Sequence, residues 1–206
     1  MTRIVFVRHA ETDMAGTFCG HSDPELNQRG RDQLVSLIQK LKGKQFHKIF
    51  TSDLSRARQT ADAIAGHFGV EVHERSGLRE IYFGAWEGLR WSEVEMRHPA
   101  AAKCWITEYP NYAAPKGETL LEFQARVQEE CSFLSQEAAK APILTVTHAG
   151  FLRAAIPNFQ AISEQDVLAI GKEYASIVVV EVPQLPLSRD IAVPDGVLKI
   201  RFSDVL

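Results

Sequence analysis

Ile4-Val5-Phe6-Val7-Arg8-His9-Ala10-Glu11-Thr12 is the stretch whose reading decides the fold. Its first four residues are apolar, include β-branched and aromatic members and contain no helix breaker, the pattern of a strand buried on both faces in a parallel sheet. A cation and an imidazole follow at once. In open α/β sheets ligands bind in the crevice beyond the carboxyl ends of the strands, so Arg8 and His9 stand where a ligand-holding group or a nucleophile is expected.

Outward from this strand, residues 13–30 are polar and punctuated by Gly16, Gly20, Pro24 and Gly30, which reads as a long functional loop. Asn27 can cap a helix that starts at Gln28, carries Leu34, Leu37, Ile38 and Leu41 at helical spacing, and ends at Gly43. Residues 46–51 read as a second strand. Ser52-Asp53 is expected to start and cap the next helix, which carries Ala57, Ala61, Ile64, Ala65 and Phe68 and closes at Gly69. A third strand is expected over 70–73. Residues 117–139 hold the longest helical pattern, Pro142 stops it, and Ile143 to Thr147 form a fourth buried strand that again ends in a histidine, His148. Residues 175–182 and 197–202, joined by the proline-containing stretch 183–196, read as two further strands in an antiparallel finish at the sheet edge.

Between 76 and 115 the pattern loosens and Tyr82, Phe83, Trp86, Trp91, Trp105, Tyr109 and Tyr112 collect. Such a stretch is either an inserted roof over the crevice or a subsidiary core beneath long loops. The expected fold is a three-layer α/β/α domain spanning 1–206. Its central sheet has about six mostly parallel strands with one antiparallel edge strand, and 76–115 is an inserted aromatic-rich cap.

Composition limits the functions to consider. The chain has 206 residues, 45% hydrophobic and 24% charged, enough for one globular domain with a substantial core. A net charge of −3 without long runs of one sign argues against a nucleic-acid surface or a basic membrane patch, so any bound anion must be held locally. Cys19, Cys104 and Cys131 are widely spaced and form no Cys-x-x-Cys pair, which argues against a disulfide framework or a zinc site. No segment has the length of a signal or membrane-spanning stretch, and a cytoplasmic protein without metal or cofactor is expected.

Right-handed βα crossovers bring the strand ends to one side, so His9 and His148 can face each other. Arg8 and an arginine after the second strand would suit a phosphate, which calls for planar multi-donor cations and helix N-terminal amides. Arg56 and Arg58 cannot both serve, because residues two apart on a helix point to nearly opposite sides.

Taken in order, Arg8-His9-Ala10-Glu11-Thr12, Gly20-His21-Ser22-Asp23, Ser52-Asp53-Leu54-Ser55-Arg56-Ala57-Arg58-Gln59-Thr60-Ala61, Leu78-Arg79-Glu80-Ile81-Tyr82-Phe83-Gly84-Ala85-Trp86-Glu87-Gly88 and Thr147-His148-Ala149-Gly150 resemble the histidine phosphatases, the phosphoglycerate-mutase-like superfamily. The resemblance implies His9 as nucleophile, Arg8, Arg56 and His148 as the phosphate-holding set with Ser22 among the substrate contacts, and Glu80 as proton donor; Glu11 and Glu87 are its rivals, and burial beside Tyr82 and Trp86 is expected to raise its pKa. It favours Arg56 over Arg58 and calls for no metal. Ala10 stands where the family usually has glycine and requires a backbone that avoids positive φ. Ala15 stands where many members have an asparagine and removes a donor to phosphate.

Within the family the α-ribazole-5′-phosphate phosphatases look most similar, on Tyr82-Phe83-Gly84-Ala85-Trp86-Glu87, the stretch 105–112, Pro115-Lys116-Gly117-Glu118 and Phe123-Gln124-Ala125-Arg126-Val127. That resemblance implies a small phosphomonoester as substrate, α-ribazole 5′-phosphate in cobalamin biosynthesis. The rivals are a broad-specificity phosphatase, a cofactor-dependent phosphoglycerate mutase and a phosphate-binding module without turnover. Mutases usually carry a longer insertion than 82–115, and the intact set of His9, Arg8, Arg56, Glu80 and His148 speaks against the module.

Overall fold

The structure is a computed structural model and describes residues 1–108 and 112–182. Strands β1 (Thr2–Arg8), β2 (Lys48–Thr51), β3 (Val72–Glu74), β4 (Ile143–Thr147) and β5 (Ile177–Val182) form one sheet in the order β3-β2-β4-β1-β5. β1 runs parallel to β4, with Ile4 opposite Ile143 and Arg8 opposite Thr147. β2 is parallel to both β3 and β4, and β5 is antiparallel to β1. This is the expected mostly parallel sheet with an antiparallel edge. The expected strand 197–202, the connection 183–196 and Tyr109 lie outside the described residues.

Alternation along β1 explains the three layers, because successive side chains in a strand point to opposite faces. Ile4 and Phe6 join one core with Phe123, Val127 and Leu134 of α5 (Leu120–Lys140) and Phe151 and Leu152 of α6 (Ala149–Ala155). Val5 and Val7 join the other with Leu37 and Leu41 of α1 (Gln28–Leu41) and Ala57, Ala61 and Ile64 of α2 (Ser55–Phe68). All four β1 side chains are at most 1% exposed, as a doubly covered strand requires.

The caps divide into one expected and one corrected. Asn27 Oδ1 accepts from Gly30 N at 2.7 Å and starts α1 as its sequence indicates. Ser52-Asp53 does not cap α2: the helix begins at Ser55 after Leu54, which makes no side-chain cap. Asp53 is drawn away by Arg79, whose Nε and Nη2 donate to its two carboxylate oxygens at 2.7 and 2.6 Å. A bidentate charged pair outcompetes a single bond to a helix amide.

Residues 76–115 contain two 3₁₀ turns, Ser76–Leu78 and Gly84–Trp86, then α3 (Trp91–Arg97) and α4 (Pro99–Thr107). Trp86 is fully buried, with ring centroids 5.1 Å from Trp105, 5.7 Å from Phe18 and 6.1 Å from Trp91. These rings extend the core built on Ile4 and Phe6 rather than forming a separate one. The last helix among the described residues, α7 (Glu164–Ala169), precedes the turn into β5. No described helix is long and apolar enough to cross a membrane, and Cys19, Cys104 and Cys131 are all free thiols.

Candidate active site

Because Arg8 and Thr147 are register partners, the residues that follow them, His9 and His148, leave the sheet side by side. His9 N donates to Thr147 O at 2.9 Å, and the two imidazole centroids are 5.0 Å apart. His9 Nδ1 lies 2.7 Å from the carbonyl of Ala10. A carbonyl only accepts, so Nδ1 carries the proton and Nε2 keeps its lone pair. Burial, then the charges of Arg56 and Arg8, hold His9 well below the usual histidine range. His148 is fully buried and displaced the same way by burial, Arg56 and His9, and neither of its ring nitrogens has a hydrogen-bond partner. Both rings are neutral at neutral pH.

The two arginines that the resemblance singled out are fixed by carbonyls. Arg8 Nη1 donates to Gly171 O and Lys172 O, each at 2.8 Å, and its guanidinium lies 3.7 Å over the Tyr174 ring. Arg56, fully buried, donates from Nη1 to Ser22 O at 2.6 Å and from Nη2 to Gly20 O at 2.7 Å. The Nε of each is buried and unpartnered, the state expected of a donor that awaits an anion. Arg58 instead pairs with Glu74 on the surface at 3.0 Å. The helix thus separates the two arginines as the spacing argument requires.

Glu80 is held by two backbone amides: Oε1 accepts from Ile81 N and Oε2 from Gly150 N, each at 3.0 Å. The aromatic housing expected from the sequence is a correction. Tyr82 packs on His21 with centroids 4.9 Å apart, and Trp86 is buried in the core with Phe18 and Trp105. Arg126 secures the loop that carries Glu80, donating to the carbonyls of Gly77, Arg79 and Glu80 and pairing with Glu118 at 2.6 Å.

The rival glutamates serve the scaffold. Glu87 accepts from His21 N, Ser22 N and Ser22 Oγ at 2.6 to 2.7 Å, and Glu11 faces Asn27 and Arg29. Ser22 therefore spends its hydroxyl on Glu87 and its carbonyl on Arg56. Ala10 has no positive φ, and its N–H donates to Thr60 Oγ1 at 3.1 Å, so the methyl group is accommodated.

Arg8, His9, Arg56 and Glu80 line a cavity of about 680 Å³, whose apolar wall includes Phe83, Trp91 and Trp105. The aromatic segment thus contributes to the cavity wall as well as to the core. None of His148, Ser22 and Ala15 is among the lining residues, although Ala149, which follows the fully buried His148, is. Tyr174 and Arg153, which the sequence reading passed over, are. A signal for Tyr174 existed: a strand antiparallel to β1 must bring the residues before it alongside Arg8 and His9.

The model of the histidine phosphatase superfamily, branch 1, matches residues 4–184. An adenosylcobalamin/α-ribazole phosphatase of Salmonella typhimurium is 31% identical over 152 residues, 73% of this chain and 75% of that protein. Phosphoserine phosphatase 1 of Hydrogenobacter thermophilus is 27% identical over 186 residues, 89% of this chain and 88% of that protein. The crystal structure of the α-ribazole phosphatase from Shigella flexneri shares the fold with a TM-score of 0.80 at 24% identity, covering 88% of this chain and 91% of that one. With strand-end histidines, buried arginines and a family match that spans them all, the chain belongs to branch 1 of the histidine phosphatase superfamily.

Proposed function

We propose that the protein is a phosphomonoesterase that works through a covalent phosphohistidine on His9. The observation that carries this reading is the His9 Nδ1 contact with Ala10 O, which leaves Nε2 basic beside the unpartnered nitrogens of Arg8, Arg56 and His148. Nε2 attacks phosphorus in line, the N–P bond forms and the ester P–O bond breaks, while Arg8, Arg56 and His148 neutralise or hydrogen-bond the equatorial oxygens. Ser22 belongs to this set through its carbonyl, which orients Arg56. Glu80 gives its proton to the departing alkoxide. It then takes one from the water that attacks phosphohistidine and releases inorganic phosphate. The scheme calls on no metal or cofactor.

The ester we assign is α-ribazole 5′-phosphate, hydrolysed to α-ribazole and phosphate in cobalamin biosynthesis, in the cytoplasm. Support comes from the relatives that carry that name and from Phe83, Trp91 and Trp105 on the cavity wall, which suit a benzimidazole ring by stacking. Residues 76–115 act as the cap of a single catalytic domain. A wider range of esters is the second reading, because a relative of similar identity is a phosphoserine phosphatase.

The test is to quench turnover of a labelled ester and characterise the phosphoprotein. Label on His9, labile in acid and stable in base, is expected; label on a serine or an aspartate ends the proposal. A panel of α-ribazole 5′-phosphate, phosphoserine and phosphoglycerate then ranks the esters. Transfer between phosphoglycerates without release of phosphate would mark a mutase instead.

A further inference from the structure

The segment 170–176 crosses the ends of β1 and β4 and is tied to the site at four points. Arg8 N donates to Ser176 O at 3.0 Å and Ala175 N to His9 O at 3.2 Å, while Arg8 Nη1 binds the carbonyls of Gly171 and Lys172. Buried Arg153 adds a fifth bond, from Nε to Ile170 O at 3.1 Å. Ala175 adopts a φ of +52°, a left-handed conformation that an alanine keeps only where its surroundings over-determine it, and such residues cluster at functional sites. That turn delivers Tyr174. Its ring lies under the Arg8 guanidinium at 3.7 Å and against the His9 imidazole with centroids 5.6 Å apart.

We propose that Tyr174 is a positioning residue that locks Arg8 and His9 onto a single phosphate. The His9 ring packs against both Tyr174, at 5.6 Å, and His148, at 5.0 Å, with Nδ1 tied to Ala10 O, and these three contacts together restrict its orientation. Arg8 is confined by two carbonyls at Nη1 and by the Tyr174 face, which leaves the buried Nε–H as a fixed donor. The main attraction is between cation and ring quadrupole, so the aromatic ring carries most of the effect, with the Tyr174 hydroxyl adding a weaker electrostatic and hydrogen-bond interaction with Arg8. This rests on the phosphatase reading above and adds to it the group that pre-organises its phosphate cradle.

Phosphate affinity, measured by calorimetry with inorganic phosphate on the full chain, tests the proposal independently of turnover; kcat and KM on p-nitrophenyl phosphate test it during turnover. Tyr174→Leu is expected to weaken phosphate about tenfold to thirtyfold, the factor a desolvated cation–π contact contributes. It should raise KM and lower kcat together. Tyr174→Phe should restore both. In an Arg8→Met background, which has no cation to place over the ring, Tyr174→Leu should add little. Should Tyr174→Leu fold poorly by urea titration, Tyr174→Met supplies the same comparison. Phosphate affinity within twofold of wild type in the folded Leu or Met variant overturns the proposal, as does a Phe variant as impaired as Leu. A wild-type chain that binds phosphate yet hydrolyses no ester would remove the enzyme reading alone, and the calorimetry would still decide the role of Tyr174.

Discussion

Gly150→Ala isolates Glu80, the proposed proton donor, without touching its chemistry. Gly150 lies in the first turn of α6 outside the positive-φ region, so alanine suits its backbone, but a Cβ there would sit 2.2 Å from Glu80 Oε1 and 3.0 Å from Glu80 Cδ. An ordinary contact begins at 3.4 Å, so the carboxylate has to withdraw by about 1 Å, and a displacement of about that size at a reacting group costs on the order of a hundredfold in rate. Only esters that need a proton at the leaving oxygen should feel it. We expect kcat/KM for an alkyl phosphate to fall about a hundredfold and that for p-nitrophenyl phosphate, whose phenolate leaves unassisted, to change less than about fivefold. Glu80→Gln should give the same split, and the double variant should be no worse than Glu80→Gln alone, since both remove one function. Urea titration confirms that the variant is folded. Equal losses on both esters, or additive losses in the double variant, would show that Glu80 and Gly150 do not act together on the leaving group.

Other outcomes follow from the same geometry. Because burial and Arg56 hold His9 and His148 below their usual range, the unfolded chain takes up protons below about pH 6.5 that the folded chain refuses; stability is therefore full above that pH and falls by up to about 1.4 kcal/mol per pH unit for each histidine as pH drops toward the folded pKa values. A His9→Asn/His148→Asn variant should have a shallower slope in urea titrations between about pH 7.5 and 5.5, and parallel slopes would contradict the burial argument. Arg126→Leu strips its bonds from the carbonyls of Gly77, Arg79 and Glu80 and from Glu118, and should cost about 2–4 kcal/mol of unfolding free energy; a loss below about 0.5 kcal/mol would show that the loop is held otherwise. Trp91→Ala should raise KM for α-ribazole 5′-phosphate about tenfold, in line with the roughly 0.5–1.5 kcal/mol of an aromatic pair, and leave glycerol phosphate little changed; equal KM shifts would detach Trp91 from ring recognition.

The parts of this architecture written locally were legible in the sequence. β1 and β4 are unbroken apolar runs, and Asn27 caps α1 through a residue three positions on, so nothing distant has to be known. Arg56 could be separated from Arg58 by helical geometry and the family motif together. What failed depended on partners far along the chain. Asp53 left its cap for Arg79, 26 residues away, and Glu80 found its support in the amide of Gly150 rather than in nearby aromatics. The segment 76–115 posed a choice between roof and core that its fold declines, since Trp86 faces inward among aromatics while Trp91 and Trp105 border the cavity as well. Tyr174 was hidden because its place depends on how a later strand pairs with the first.

Mounting both imidazoles on adjoining rungs of one hydrogen-bonded ladder has a consequence for how the protein fails. The backbones that carry the two rings cannot part without breaking the β1–β4 pairing at the centre of the sheet, where both faces are covered. Heat or denaturant should leave this phosphatase fully competent until the domain melts as a whole, so the loss of catalysis and the cooperative transition should trace one curve.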